Sequence, residues 1–172
     1  MKKKIFYIIF CILILPCFIV NLTLIIKSKA NPSKIPDFMG YKPFIVLSGS
    51  METAINIGDL IIVKDVNPKN IKPNDIITFK KDNVVISHRV VEIQNNEGTS
   101  IRFKTKGDNN NVADDFTVNI NEIEGIFVNK IPGVGNFLLL LSKPMGLVLV
   151  ILIIIILFTS LYFIHFNREK NG

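Results

Sequence analysis

The chain has 172 residues, of which 49% are hydrophobic, and carries a formal net charge of +6 at pH 7. Residues 27–144 hold 15 Lys and Arg against 13 Asp and Glu, a net of only +2, and the other +4 lies in the short terminal tails. This distribution argues against a nucleic-acid-binding surface. The length indicates one modest domain. Both cysteines, Cys11 and Cys17, lie in one apolar run, so the rest of the chain holds no disulfide and no cysteine metal site.

Two apolar runs flank this domain, at residues 5–26 and 145–166, and each has 22 residues with no Asp, Glu, Lys or Arg. About 20 helical residues cross a bilayer core, so each run predicts a transmembrane helix. The first run is longer than the apolar region of a secretory signal peptide, which favours an uncleaved anchor. Basic residues in the tails at 1–4 and 167–172 predict that both termini are cytoplasmic.

The region between the two runs is then expected on the outer side of the cell membrane, as a domain at 27–134 and a connector at 135–144. After a linker rich in proline, short apolar runs are separated by Gly, Asn, Asp and Pro, which is typical of strands and turns. The predicted strands are FIVLS (44–48), DLIIVK (59–64), DIITFK (75–80), VVISHRVVEI (84–93), TSIRFKT (99–105) and EGIFVNK (124–130). They predict a compact, mainly β domain, built as a sandwich or a partly closed barrel. In the connector, FLLLL at 137–141 is too short to cross the bilayer and is expected at its surface.

Three segments carry candidate chemistry. SGSM at 48–51 follows an apolar run and presents Ser50 on a sharp turn, which fits either a turn serine or a nucleophile. A serine nucleophile needs a base within hydrogen-bond reach and a group that orients the base. His88 is the single histidine of the outer domain, and a histidine in a strand is also explained by packing. The third segment, KGDNNNVADD, supplies Asp108, Asp114 and Asp115, although Asp108 also suits a tight Gly-Asp-Asn turn.

Taken in order, SGSM, SHRVV and TKGDNN followed by an aspartate resemble signal peptidase I. The resemblance is to the endoplasmic-reticulum and archaeal branch, which includes SipW-like enzymes, and it covers residues 40–135 and the anchor arrangement. It implies a serine endopeptidase with Ser50 as nucleophile and His88 as general base, where the bacterial-type branch has lysine. It implies Asp114, six positions after Asp108, as the group that orients the histidine. Asp108 is the family's other functional carboxylate, and a shift of one residue in the loop would replace Asp114 with Asp115.

The backbone N–H of Ser50 and the hydroxyl of Ser48 are the candidate oxyanion donors, although turn chemistry also accounts for Ser48. This chemistry needs no cofactor and no metal. The expected partners are preproteins that carry signal peptides and the lipid bilayer, with the secretion translocon as a further candidate. Three alternatives remain: a dedicated peptidase for one or two exported fibre or matrix proteins, a catalytically silent membrane scaffold, and a Ser/Lys self-cleaving regulator. The histidine at the base position and the two predicted spans disfavour the last.

Overall fold

The computed structural model describes residues 31, 34–95 and 101–143. It also describes helical residues 25–30 and single helical positions at 12, 16, 19, 20, 22, 23, 148, 152, 156 and 159. The described domain is mainly β, as predicted. Its strands are β1 (Tyr41–Ile45), β2 (Leu60–Lys64), β3 (Ile76–Lys81), β4 (Val84–Gln94), β5 (Arg102–Lys106), β6 (Val118–Asn119) and β7 (Ile123–Ile131). Short 3-10 turns lie at Pro68–Asn70 and Ile120–Glu122, and one helix, α1, spans Val134–Ser142.

The seven described strands form a single antiparallel sheet rather than the two sheets of a sandwich. Their order is β1-β2-β7-β3-β4-β5-β6, which leaves β1 and β6 at the edges. Two bulges bend β7, one against Ile62 and Val63 of β2 and one against Thr78 and Phe79 of β3. A third lies between β4 and β5 after Val90. Bulges increase the local twist of a sheet, so these three help to curve it around its core.

Two buried clusters fill the inside of the sheet. The larger one centres on Phe79 and Phe103, both fully buried, with Val90 from the strand between them. The smaller one comprises Met51, Ile55, Ile61 and Val63. Met51 and Ile55 come from the segment after β1 rather than from a strand, so the smaller cluster ties that segment to the sheet.

Five of the six predicted strands lie where the sequence places them, with ends that differ by a few residues. Residues 99–100 of the predicted strand 99–105 lie outside the described residues. The first prediction is wrong by three residues: the strand is Tyr41–Ile45, not 44–48. A turn at Met39 and Gly40, where φ is 54° and 81°, starts the strand early. Pro43 is tolerated inside it because β1 is an edge strand and needs no N–H on its free side. The two-residue strand β6 is too short to be recognised in the sequence.

Helix α1 covers most of the segment that was expected to be the connector. Its first turn is held by Asp59, whose carboxylate accepts the N–H of Gly133 at 3.3 Å and pairs with Lys130 at 3.0 Å. Burial raises the pKa of Asp59. The hydrogen bonds from the N–H of Asn56, from Lys130 and from Gly133 together lower this pKa by more than burial raises it. The net pKa is therefore below the usual range. Asp59 is thus a charged anchor between the β1–β2 loop and the start of α1.

Most of the two predicted membrane spans lies outside the described residues. Those positions of 5–26 and 145–166 that are described are helical. Among the described residues, no helix combines the length and the apolar content that a bilayer crossing requires. The predicted spans and the orientation of both tails therefore stay predictions.

Candidate active site

Ser50 lies on the turn that follows β1. The side chains of Met51 and Ile55 are 2% and 1% exposed, and the N–H of Ile55 donates to the carbonyl of Met51 at 2.8 Å. Because these two apolar side chains are buried in the smaller cluster, their packing fixes the position of the turn. The side chain of Ser50 faces a cleft.

His88 lies on β4, paired with Ile77 of β3, and is only 7% exposed. Its ring contacts Phe79 edge to face, with centroids 6.4 Å apart and planes at 74°. The Nε2 atom of the ring is 3.1 Å from the hydroxyl oxygen of Ser50. The strand and Phe79 therefore hold the imidazole within hydrogen-bond reach of the serine.

Asp114 is the carboxylate on the other side of the imidazole. Its Oδ2 atom is 2.8 Å from Nδ1 of His88, and the two side chains are each 9% exposed. The same oxygen accepts the hydroxyl of Thr105 at 2.5 Å, and the N–H of Asp114 donates to the carbonyl of Thr105 at 2.9 Å. With Asp114 ionised, Nδ1 donates to it, and Nε2 is then free to accept the hydroxyl proton of Ser50.

Asp108 has a different contact. It pairs with Arg89, the residue after His88, through two hydrogen bonds of 2.8 and 2.6 Å, and Arg89 also donates to the carbonyl of Asn74 at 2.8 Å. The hydrogen bond to Asp108 raises the pKa of the Arg89 guanidinium above its ordinary value. Asp115 is exposed to solvent. Of the three candidate aspartates, the structure therefore brings Asp114 to the imidazole and Asp108 to the neighbouring arginine.

The loop that carries Asp108 also supports the turn of Ser50. The N–H of Asn109 donates to the carbonyl of Ser50 at 2.9 Å, and its side-chain amide donates to the carbonyl of Gly49 at 3.2 Å. A Cβ atom at Gly107 would lie 2.6 Å from the same Ser50 carbonyl oxygen. Glycine is required at 107 because the two backbones approach so closely.

The cleft in front of Ser50 has a volume of about 610 Å³. One wall is residues 44–48 and includes Ser48, which is exposed; the other is residues 83–87. Among the described strands, β1 pairs only with β2, and β5 pairs with β4 only from Arg89 onward. Each wall therefore includes a strand edge that has no partner among the described strands: Phe44 and Ile45 of β1 in one wall, and Val84–Ser87 of β4 in the other. Met51, Ile55 and Ile61 line it as well.

Sequence reasoning did not select Thr105, Arg89, Asn109 or Gly107. Two of them carried a usable signal. Thr105 lies two residues after the buried Phe103 on β5 and therefore on the same face of the strand, so its hydroxyl is expected to face inward, toward a polar partner. Arg89 lies next to the candidate base on the opposite face of the strand. Within the part of the chain that the structure describes, no three His, Cys, Asp or Glu side chains cluster closely enough to hold a metal ion.

A hydroxyl, an imidazole and a carboxylate in hydrogen-bonded series, beside an open cleft, form the arrangement that serine hydrolases use. In comparisons with known proteins, the chain is similar to several signal peptidases. The chain is 44% identical to signal peptidase I W of Bacillus subtilis over 98 residues, which is 56% of this chain and 51% of that protein. It is 40% identical to the human signal peptidase complex catalytic subunit SEC11C over 72 residues, 41% of this chain and 38% of the relative.

A third relative is the signal peptidase complex catalytic subunit SEC11 of Leptosphaeria maculans, 36% identical over 110 residues, or 58% of this chain and 62% of that protein. These relatives confirm the resemblance to signal peptidase I of the endoplasmic-reticulum and archaeal type. The chain spans between about two fifths and three fifths of the length of these relatives. No family model matches the chain.

Proposed function

We propose that this protein is a membrane-bound serine endopeptidase that removes signal peptides from exported preproteins. The observation that carries the proposal is the hydrogen-bonded series Ser50–His88–Asp114, at the edge of a cleft between two strand edges. The relatives support the proposal because their names are those of signal peptidases. The alternative of a silent scaffold gains no support from this series, since nucleophile, base and orienting carboxylate are all at hydrogen-bond distance.

The mechanism follows from the geometry. Nε2 of His88, 3.1 Å from the hydroxyl of Ser50, takes its proton as the oxygen attacks the scissile carbonyl. Asp114 keeps the proton on Nδ1 and stabilises the imidazolium that forms. His88 then returns the proton to the leaving amine, and water hydrolyses the acyl-enzyme by the reverse sequence. The backbone N–H of Ser50 and the hydroxyl of Ser48 are the proposed oxyanion donors, each worth about 3–4 kcal/mol of transition-state stabilisation.

An extended peptide is the substrate that the cleft favours. The outer backbone groups of residues 44–48 and of Val84–Ser87 have no strand partner in the described sheet, so a peptide can add a strand between them. Such a peptide would bring its scissile bond to Ser50 and its side chains to the apolar floor of Met51 and Ile55. A signal sequence inserted in the membrane presents its cleavage site in this extended form at the outer surface of the bilayer.

Cleavage of a model preprotein by the detergent-solubilised full chain tests the proposal. Wild type is expected to cut after a small side chain, whereas Ser50→Ala and His88→Ala are expected to be inactive. Thermal unfolding should be unchanged in Ser50→Ala and lowered in His88→Ala, which removes a buried side chain. Ser28→Ala, at an exposed serine among the helical residues 25–30, is the matched control and should cut like wild type. A Ser50→Ala variant with wild-type turnover would refute the mechanism. Wild type that cuts only one or two exported proteins from a panel would favour the dedicated peptidase.

The pH dependence provides a second test. His88 must be neutral to accept the proton of Ser50, so kcat/KM should fall tenfold per pH unit once the pH drops below the point at which the histidine protonates. The rate of peptide cleavage between pH 4.5 and 8 measures this. A rate that stays flat over this whole range would contradict a base that must lose its proton before it can act.

A further inference from the structure

Asn110 lines the cleft with a side-chain amide that no local contact explains. The residue is partly buried, and its amide forms no hydrogen bond with any residue that the structure describes. The neighbouring Asn109 differs, because its amide donates to the carbonyl of Gly49 at 3.2 Å. Asparagine side chains in loops commonly bond nearby backbone groups, as Asn109 does. Turn chemistry therefore accounts for the amide of Asn109 but not for that of Asn110.

The amide of Asn110 lies beside the serine turn, and the backbone fixes it there. The N–H of Asn110 donates to the carbonyl of Gly107 at 3.0 Å, which closes a tight turn. A Cβ atom at Gly107 would lie 2.6 Å from the carbonyl oxygen of Ser50 and 2.8 Å from Nδ2 of Asn110. The amide thus packs against Gly107, next to Ser50, in the cleft that Ser50 and His88 also line. A polar group that is held in place before a ligand arrives loses little freedom on binding it.

The sheet determines where a bound peptide leaves β4. β5 pairs with β4 from Arg89 onward, with Lys106 opposite Arg89, whereas the same edge of β4 has no partner among the described strands at Val84–Ser87. A peptide that adds a strand along Val84–Ser87 therefore lies in line with β5 and meets its end. It cannot continue along β4, because β5 occupies that edge. β5 ends at Lys106, where the loop that carries Asn110 begins. The peptide must leave the sheet beside this loop.

We propose that Asn110 binds the backbone of the substrate just beyond the scissile bond, on the leaving-group side. This inference rests on the proposed function, in which the cleft walls hold the residues before the cut. A peptide group that leaves the sheet has a free N–H and a free C=O, and a carboxamide offers an acceptor and two donors to match them. Such a contact does not depend on side chains, so it suits substrates whose sequences differ after the cut. It also holds the leaving amine near His88, which returns the proton to it in the proposed mechanism.

Peptide binding to an inactive protein tests this contact without cleavage. The detergent-solubilised full chain with Ser50→Ala is titrated against two fluorescein-labelled peptides, and binding is read by fluorescence anisotropy. One peptide ends, as an amide, at the residue before the cut, and the other continues for several residues beyond it. We expect the longer peptide to bind about tenfold more tightly, as one or two added hydrogen bonds would allow, and Asn110→Ala to remove most of this difference. Asn111→Ala, at an exposed asparagine that does not line the cleft, is the matched control and should keep the difference.

Three results of this titration would overturn the proposal. Equal affinity of the two peptides for the Ser50→Ala protein would mean that nothing beyond the cut is bound. An equal loss of affinity for both peptides in Asn110→Ala would place the residue on the acyl side or in the fold of the loop. A control variant, Asn111→Ala, that behaves like Asn110→Ala would assign the effect to the loop as a whole. None of these readings requires the protein to cleave a peptide.

The effect on cleavage depends on the proposed function and is measured separately. In the active full chain, kcat/KM is compared for a peptide that extends beyond the cut and for one with the same residues before the cut and an aminocoumarin leaving group. Asn110→Ala should lower the ratio of the two kcat/KM values about tenfold, because the coumarin substrate has no peptide group after the scissile bond. A fall in both values at an unchanged ratio would indicate an oxyanion donor and contradict the proposal. If wild type binds the longer peptide more tightly but cuts neither substrate, the proposed peptidase fails and the titration still decides the role of Asn110.

Discussion

Replacement of Asp114 by asparagine is the change that best tests which of the three candidate carboxylates orients His88. In wild type, one oxygen of Asp114 accepts both Nδ1–H of His88 and the hydroxyl of Thr105. An asparagine can turn its NH₂ group toward the imidazole, which forces the proton onto Nε2. That nitrogen then donates toward Ser50 and cannot accept its proton. The loss of this tautomer in a Ser-His-Asp site costs about 10⁴-fold in kcat, or roughly 5.5 kcal/mol.

Asp108→Asn acts on a different contact. The Arg89–Asp108 side chains are 31% and 22% exposed, so this pair is screened by solvent, and its loss should cost about 1 kcal/mol of folding free energy. The value of kcat should fall only about tenfold, because the loop becomes less rigid and its Asn109 then positions the Ser50 carbonyl less well. Asp115→Asn, at the exposed neighbour, is the control and should behave like wild type.

Single-turnover cleavage of a fluorogenic peptide measures the chemical step for these three variants, and thermal unfolding measures their stability. An orienting role for Asp114 requires a loss in kcat of a thousandfold or more for Asp114→Asn, with KM nearly unchanged. Two outcomes would refute it: activity within tenfold of wild type in Asp114→Asn, or an equal loss in Asp108→Asn without a loss of stability. The second outcome would transfer the orienting role to Asp108.

Three further predictions follow from contacts around the site. Thr105→Val should lower kcat by about ten- to a hundredfold with KM unchanged, because Asp114 loses a donor, and Thr105→Ser should restore most of the rate in the same peptide assay. Gly107→Ala should displace the Ser50 turn and cost about 1–3 kcal/mol of unfolding free energy with a larger loss of activity; wild-type kinetics would contradict the close approach. Asp59→Asn should lower the unfolding free energy by about 2 kcal/mol at pH 7. Since the folded pKa of Asp59 is lowered, its contribution is complete above the unfolded value of about 3.9 and is lost as the pH falls below it. Denaturant titrations at pH 3 and pH 6 should therefore show a smaller acid loss in Asp59→Asn than in wild type.

The strands were predictable where a run of apolar and β-branched residues ends at clear turn residues. VVISHRVVEI is an example: in the sequence it lies between Asp82–Asn83 and the polar stretch QNNEG, and it forms β4 almost to the residue. The edge strand β1 was misplaced because Pro43 is a turn signal in most contexts. Its tolerance depends on which side of the strand is free, and this is a property of the whole sheet.

The choice among three aspartates could not be made from spacing. The loop of six residues between Gly107 and Asp114 can present several side chains to the same point, depending on its path. The path is set by contacts distant in sequence: Asn109 to the carbonyl of Ser50, and the backbone of Asp114 to Thr105. The same loop gives the two carboxylates different partners. The end that carries Asp108 is fixed to the serine turn, and the end that carries Asp114 is fixed to β5.

These contacts explain why the site needs all three segments at once. Met51 and Ile55 anchor the Ser50 turn in the core, but the carbonyl of Ser50 is bound by the loop that starts at Gly107. The imidazole has a rigid strand behind it, but its orientation depends on a carboxylate from the far end of that loop. The loop therefore couples the position of Ser50, the proposed nucleophile, to the tautomer of His88, the proposed base. A single displacement at 107 should disturb both, and the loss of activity in Gly107→Ala should exceed the loss of stability for this reason.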